Sequence, residues 1–221
     1  MEAPILVMPD NWKDFDVDRS APPIFRAIAA GDLDELRRLI LRGDSLVSKD
    51  ALGCSPLGVA SRIGDNSIIQ HLLDCGVPVD DVGDSEQIHL TPLMHATNAG
   101  HLQSMTILLD HGADVNRSGI YTPLYLAVLR DKIAAAQLLL SRNANPLTPV
   151  RLGASAGETA VEKAALSGST DLFSLLLSHS KLESQDEFVK RIFRHDWYNE
   201  HQISREKRQC VEDYLSRRKF M

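Results

Sequence analysis

One pattern of punctuation occurs five times along the 221 residues, and it restricts the fold more than any other property of the chain. The five segments read PPIFRAIAAGDLDELRRLILRG, SPLGVASRIGDNSIIQHLLDCG, TPLMHATNAGHLQSMTILLDHG, TPLYLAVLRDKIAAAQLLLSRN and TAVEKAALSGSTDLFSLLLSHS. They begin at Pro22, Ser55, Thr91, Thr122 and Thr159, so successive starts are 33, 36, 31 and 37 residues apart. A period in this range, with small changes in loop length, belongs to stacked units that bury their apolar faces only against one another.

Within each segment the residue types spell out two short antiparallel helices. A Ser or Thr can cap the first helix, and Pro suits its first turn. Gly31, Gly64, Gly100 and Gly168 permit a tight turn between the helices, and Gly43, Gly76 and Gly112 suit the left-handed end of the second. The fourth unit carries Asp131 and Asn143 instead; Asn is the better substitute for Gly in that conformation, and the unit is still expected to fold. Leu36, Leu39 and Ile40, then Ile69, Leu72 and Leu73, then Met105, Leu108 and Leu109 fall three and four apart, on one helical face each.

The TPL starts, the Ala at the sixth position, the central Gly, the paired Leu residues and the run Gly112-Ala113-Asp114-Val115-Asn116 resemble ankyrin repeats. The resemblance covers residues 20 to 180, is closest in the third unit and is degraded in the first and fifth, as terminal repeats are. It implies an all-α ankyrin-repeat solenoid of about five helix-turn-helix units, with residues 1–20 as an N-terminal extension, 21–180 as the array and 181–221 as a helical C-terminal cap or recruitment segment. The family's His after TPL is missing, since Phe25, Gly58, Met94, Tyr125 and Glu162 stand there, so its usual loop bracing must be replaced. The loop NPLTPVRLGASAG is rich in turn residues and is expected to be mobile.

The two ends lie outside the repeats. Residues 1–20 place Trp12 and Phe15 among Asp10, Asp14, Asp16 and Asp18, as an extension whose aromatics cover the open end of the first repeat or as an arm that docks on a partner. From Asp186 onward Phe188, Val189, Ile192, Phe193 and Trp197 line one helical face opposite Lys190, Arg191 and Arg194, and Val211, Tyr214 and Leu215 line a second. Shielding the last repeat is the expected role, with recruitment as the alternative.

Charge narrows the partners. The chain has 24 Lys plus Arg against 30 Asp plus Glu, a net charge of -6, which makes a polyanion an unsuitable partner, and no nucleic acid is expected. Interspersed Glu206, Glu212 and Asp213 make the Arg217-Arg218-Lys219 end a solvated helix face rather than a basic domain. Three cysteines without framework spacing fit reduced thiols, and the opening residues lack the basic leader of a signal peptide. No apolar run has membrane-spanning length, so no membrane contact and a cytoplasmic or nuclear location are expected.

Motif chemistry is sparse. His71 and Cys75 are four apart on one helix, but two ligands do not complete a zinc site, and neither metal nor cofactor is expected. His101 and His111 fit loop and C-cap bonding. His95 occupies a position where an apolar residue belongs, facing either the core, where it needs a hydrogen-bond partner, or the groove. No nucleophile elbow, phosphate-binding Gly-rich loop or metal-binding helix motif is present, so no catalytic residue is assigned.

The expected function is therefore protein binding, as adaptor, inhibitor or targeting subunit. Family geometry puts the binding face on the turn tips and on the residues before each inter-helix turn: Leu52 and Cys54, Arg62 and Ile63, Ile88 and Leu90, Asn98, Tyr121, and Leu129 with Arg130. Apolar and aromatic side chains flanked by Arg are the mix found at interface anchors. The alternative is a noncanonical enzyme with a small-molecule pocket between the groove and the C-terminal helices, which a closed cavity lined by His95, Tyr125 and Trp197 would favour and a shallow open groove would not.

Overall fold

The computed structural model describes residues 21–50, 52–82, 90–151 and 156–180. Ten α-helices and no strands occupy these residues, in five consecutive pairs. They are α1 (Pro23–Ala30) with α2 (Leu33–Leu41), α3 (Pro56–Ile63) with α4 (Asn66–Asp74), α5 (Pro92–Ala99) with α6 (Leu102–Asp110), α7 (Pro123–Leu129) with α8 (Ile133–Ser141), and α9 (Ala160–Ser167) with α10 (Thr170–His179). The fold is an all-α array of helix-turn-helix repeats, as the resemblance to ankyrin repeats implies.

Local chemistry sets each boundary. The hydroxyls of Ser55, Thr91, Thr122 and Thr159 accept from the backbone N–H three residues on, at 3.0–3.3 Å, and Pro occupies the first helical turn of α1, α3, α5 and α7. Glu162 also accepts from Thr159 N–H at 2.7 Å, closing a reciprocal capping box. Where the fourth repeat lacks glycine, Asp131 and Asn143 take the left-handed conformation themselves, at φ 51° and 64°. The stop signals thus survive with side chains that tolerate that region.

The chain divides into two compact units, Met1–Ala113 and Asp114–Met221. In the first, α1, α3 and α5 pack in succession, and α4 packs on α6. In the second, α7 packs on α9 and α8 on α10. Leu36, Leu39, Ile69, Leu72, Met105 and Leu108 are all at most 2% exposed, whereas Ile40, Leu73 and Leu109 are half-buried at the edge of the same faces. Each of the first three repeats therefore buries the centre of its apolar stripe and uses the flanking residue as a seal, whereas in the fourth both Leu139 and Leu140 are buried.

The long connection before α9 is anchored where it is described. Val150 is buried, its N–H donates to Glu158 O at 2.9 Å, and Gly157 N–H donates to Val150 O at 2.7 Å. Paired backbone groups close these flanks; residues 152–155 lie outside the described set. Residues 1–20 and 181–221, with the extension and C-terminal helices expected there, also lie outside it.

Candidate functional site

In the first unit the candidate surface is organised by a loop between α2 and α3. Asp50 Oδ1 accepts from Leu52 N–H at 2.9 Å and Cys54 N–H at 2.7 Å, and Gly53 N–H donates to Asp50 O at 2.9 Å, which closes the turn that carries Leu52. Lys49 bridges to Asp81 in the next loop at 2.9 Å, with side chains only 18% and 22% exposed. This pair ties adjacent turn tips together.

Arg62 lies at the end of α3, but its guanidinium is directed to Asp50 at 3.6 Å and its side chain is 10% exposed. It braces the loop more than it borders a contact patch. The neighbouring Ile63 is 39% exposed, an apolar residue left partly in water at the point where the helix ends. Asn98 and Leu52 are half-buried, while Cys54 and Leu90 are buried at 4% and 7% and are held inside the stack. Ile88 lies outside the described residues.

Behind this surface sits a buried polar cluster that periodicity could not resolve. His95 is 4% exposed, and its Nε2 lies 3.8 Å from Cys54 Sγ. The imidazole packs against Gly58: a Cβ there would already be in van der Waals contact, 3.4 Å from His95 Cδ2, so a longer side chain would compete for the space the ring fills. Burial, helped by the charge of Arg62, lowers the His95 pKa to about 3. Burial and then Asp50 raise the Cys54 thiol to about 11. At neutral pH the two are therefore a neutral thiol and a neutral imidazole, the opposite of the thiolate–imidazolium pair a cysteine nucleophile needs.

A second glycine–histidine fit lies beside the first. His101 Nε2 approaches Arg62 O at 3.2 Å, and a Cβ at Gly64 would stand 2.7 Å from the His101 ring. Since Gly64 also has φ 86°, the turn needs glycine for conformation and for space. His111 caps α6 through Ile107 O at 2.8 Å. His71 and Cys75 approach at 3.9 Å on α4, and among the described residues no three His, Cys, Asp or Glu side chains converge as a metal site.

In the second unit Tyr121, Leu129 and Arg130 are half-buried. Tyr121 stacks on Tyr125 with ring centroids 5.7 Å apart and planes 16° from parallel. Tyr125 is buried, its hydroxyl donates to Glu158 Oε2 at 2.5 Å, and Lys163 Nζ lies 6.0 Å from its ring centroid. Glu158 was missed in the sequence because nothing in the period marks a carboxylate 33 residues from its phenol.

Among the described residues, no helix is long and apolar enough to cross a membrane. Comparison with known proteins gives a consistent family signal. Residues 24–119 match the family profile described as ankyrin repeats, in three copies. The chain is 34% identical over 128 residues to an ankyrin repeat-containing protein of Treponema pallidum (strain Nichols), covering 57% of this chain and 42% of that protein. It is 35% identical over 115 residues to ankyrin repeat, SAM and basic leucine zipper domain-containing protein 1 of Homo sapiens, covering 46% and 24%. The same protein of Ornithorhynchus anatinus is 32% identical over 142 residues, covering 62% and 28%. The chain thus spans less than half the length of each of these relatives.

Proposed function

We propose a specific use for a chain that belongs to the ankyrin-repeat family: it is an adaptor, inhibitor or targeting subunit that holds a partner protein on the turn tips and on the C-terminal ends of the first helix of its repeats, the inner-helix ends. Ankyrin repeats are protein-interaction modules. The observation that carries the finer reading is Ile63, 39% exposed at the end of α3, beside a turn already fixed by Asp50, Arg62 and the Lys49–Asp81 pair. A rigid support under a partly wet apolar side chain lowers the ordering cost of binding, which favours a contact there. In the second unit Leu129, Arg130 and the stacked Tyr121 supply a comparable set.

The enzyme reading gains no support from the one thiol–imidazole contact of the buried cluster, because both groups are held neutral. The partner reading is tested by quantitative affinity capture from the source cell. Ile63→Asp and Leu129→Asp, made separately, should each keep the wild-type melting temperature and deplete the same proteins, while the exposed control Gln137→Asp depletes none. Unchanged capture by both surface variants overturns the assignment.

A further inference from the structure

In a row of stacked repeats, each unit uses one set of positions to face the unit before it, and the first unit has nothing to place there. His95 identifies one such position, since it packs against Cys54 and Gly58 of the preceding repeat. Four residues after each repeat start stand Val59 and His95, both 4% exposed, whereas the first repeat has Arg26, which is exposed. His111 identifies another, because its Nε2 reaches Gln70 of the preceding repeat at 3.2 Å. Its counterpart, one residue before the closing glycine, is Arg42, and Arg38 lies one turn earlier on the same face. The open end of the array is therefore lined with arginine.

The same repeat also breaks the polar pattern of its outer edge. Two residues before the closing glycine, the second and third repeats carry the exposed Asp74 and Asp110, but the first carries Leu41, 87% exposed. Four residues after that glycine, where Asp80 and Asn116 are half-buried and Asn116 bonds Asn143 and Asn145 of the following repeat, the first repeat carries Val47, 75% exposed. These are the most exposed large apolar residues of the described chain, and they lie within seven residues of each other in sequence. Leu41 directly precedes Arg42, so one of these wet apolar side chains borders the arginine-lined end and offers a surface for an occupant.

We propose that the occupant is the chain's own residues 10–18, with Trp12 and Phe15 covering the apolar surface and Asp10, Asp14, Asp16 and Asp18 facing the arginines. Complementarity supports this choice over a second copy: residues 1–20 hold five acids and two bases, against Arg26, Arg38 and Arg42. Arg26 has no carboxylate partner among the described residues, and the pairs Arg38–Glu35 and Arg42–Asp44 leave their arginines 68% and 69% exposed. Exposed pairs of that kind are weak and exchange readily for a stronger acidic neighbour. Reach is ample, since the stretch from Trp12 to the start of α1 can extend roughly 35 Å, and α2 is only about 13 Å long. The segment then seals the first repeat and leaves the inner-helix ends free, so this proposal does not depend on the partner assignment.

Trp12 is the reporter. In the full chain with Trp197→Phe it is the sole tryptophan, and its acrylamide quenching is compared with that of a synthetic peptide of residues 1–20. Severalfold weaker quenching in the chain is expected, with peptide-like quenching restored by Asp14→Lys with Asp16→Lys, which leaves the repeats untouched, and by Leu41→Asp on the receiving face. Equal quenching in chain and peptide overturns the proposal, as does protection that survives both variants. Protection that disappears on dilution assigns the face to a second copy and overturns it as well.

Discussion

The second and third repeats are braced by a buried Cys54–His95 contact over Gly58 and by an Asp50–Arg62 ion pair, whereas the fourth and fifth are braced by a Tyr125–Glu158 hydrogen bond under a Tyr121 stack. The two regions share capping hydroxyls, turn geometry and leucine positions, yet they replace the missing family histidine in unlike ways. One fits a large polar ring into space released by a glycine; the other satisfies a phenol with a carboxylate from the next repeat. Period specifies the skeleton, and the polar bracing is free to differ wherever each buried donor and acceptor finds a partner.

The shared skeleton gives the largest expected effects, and they should be alike in both regions. Leu108→Ala and Leu139→Ala each remove a side chain that is 0% exposed, and each should lower unfolding stability by about 2 to 5 kcal/mol in chemical denaturation. A loss below about 0.5 kcal/mol in either would mean that its region does not rely on the common core.

Acid should separate the regions next. Below about pH 6.5 the unfolded chain takes up a proton that native His95, with its pKa lowered to about 3, refuses. Its contribution to stability is therefore complete above that pH and falls as pH drops, by on the order of 1.4 kcal/mol per pH unit towards pH 3. His95→Leu, which mimics Leu126 at the matching position of the fourth repeat, should flatten this slope in urea midpoints measured from pH 7 to pH 5. An unchanged slope would remove histidine burial from the account.

Much of the skeleton was legible in the sequence, because a capping Thr before Pro and a residue able to take positive φ act within a few positions of themselves. Asp131 and Asn143 could even be read as stand-ins for glycine, and both take that conformation. The candidate surface was less legible. Arg62 reads as a flank of Ile63 but turns to Asp50, and Leu90 reads as a turn-tip contact but is buried. Both depend on how one repeat sits on its neighbour, which period alone does not encode. Glu158 escaped for the same reason, and Gly58 read as a lost histidine rather than as room for the next one.

Smaller effects sharpen the contrast. Tyr125→Phe removes the donor to Glu158 and should cost roughly 1.5 to 3 kcal/mol, since the acceptor is a carboxylate; thermal melts read this directly, and no change would mean that the ring stack alone holds the fourth repeat. Thr122→Ala deletes a cap bond to Tyr125 N–H and should cost about 1 kcal/mol, as should Thr91→Ala in the other region, because caps belong to the shared skeleton.

The claim that the inner-helix ends form the partner face is tested most directly by site-specific photo-crosslinking in the source cell. A photoreactive phenylalanine analogue is placed singly at Ile63, Leu129 and, as the control, Gln137. The account predicts adducts to the same partner protein from positions 63 and 129 and none from 137. Adducts from 137 alone, or no adduct at 63 and 129 in chains that retain wild-type helicity and melting temperature, would contradict it.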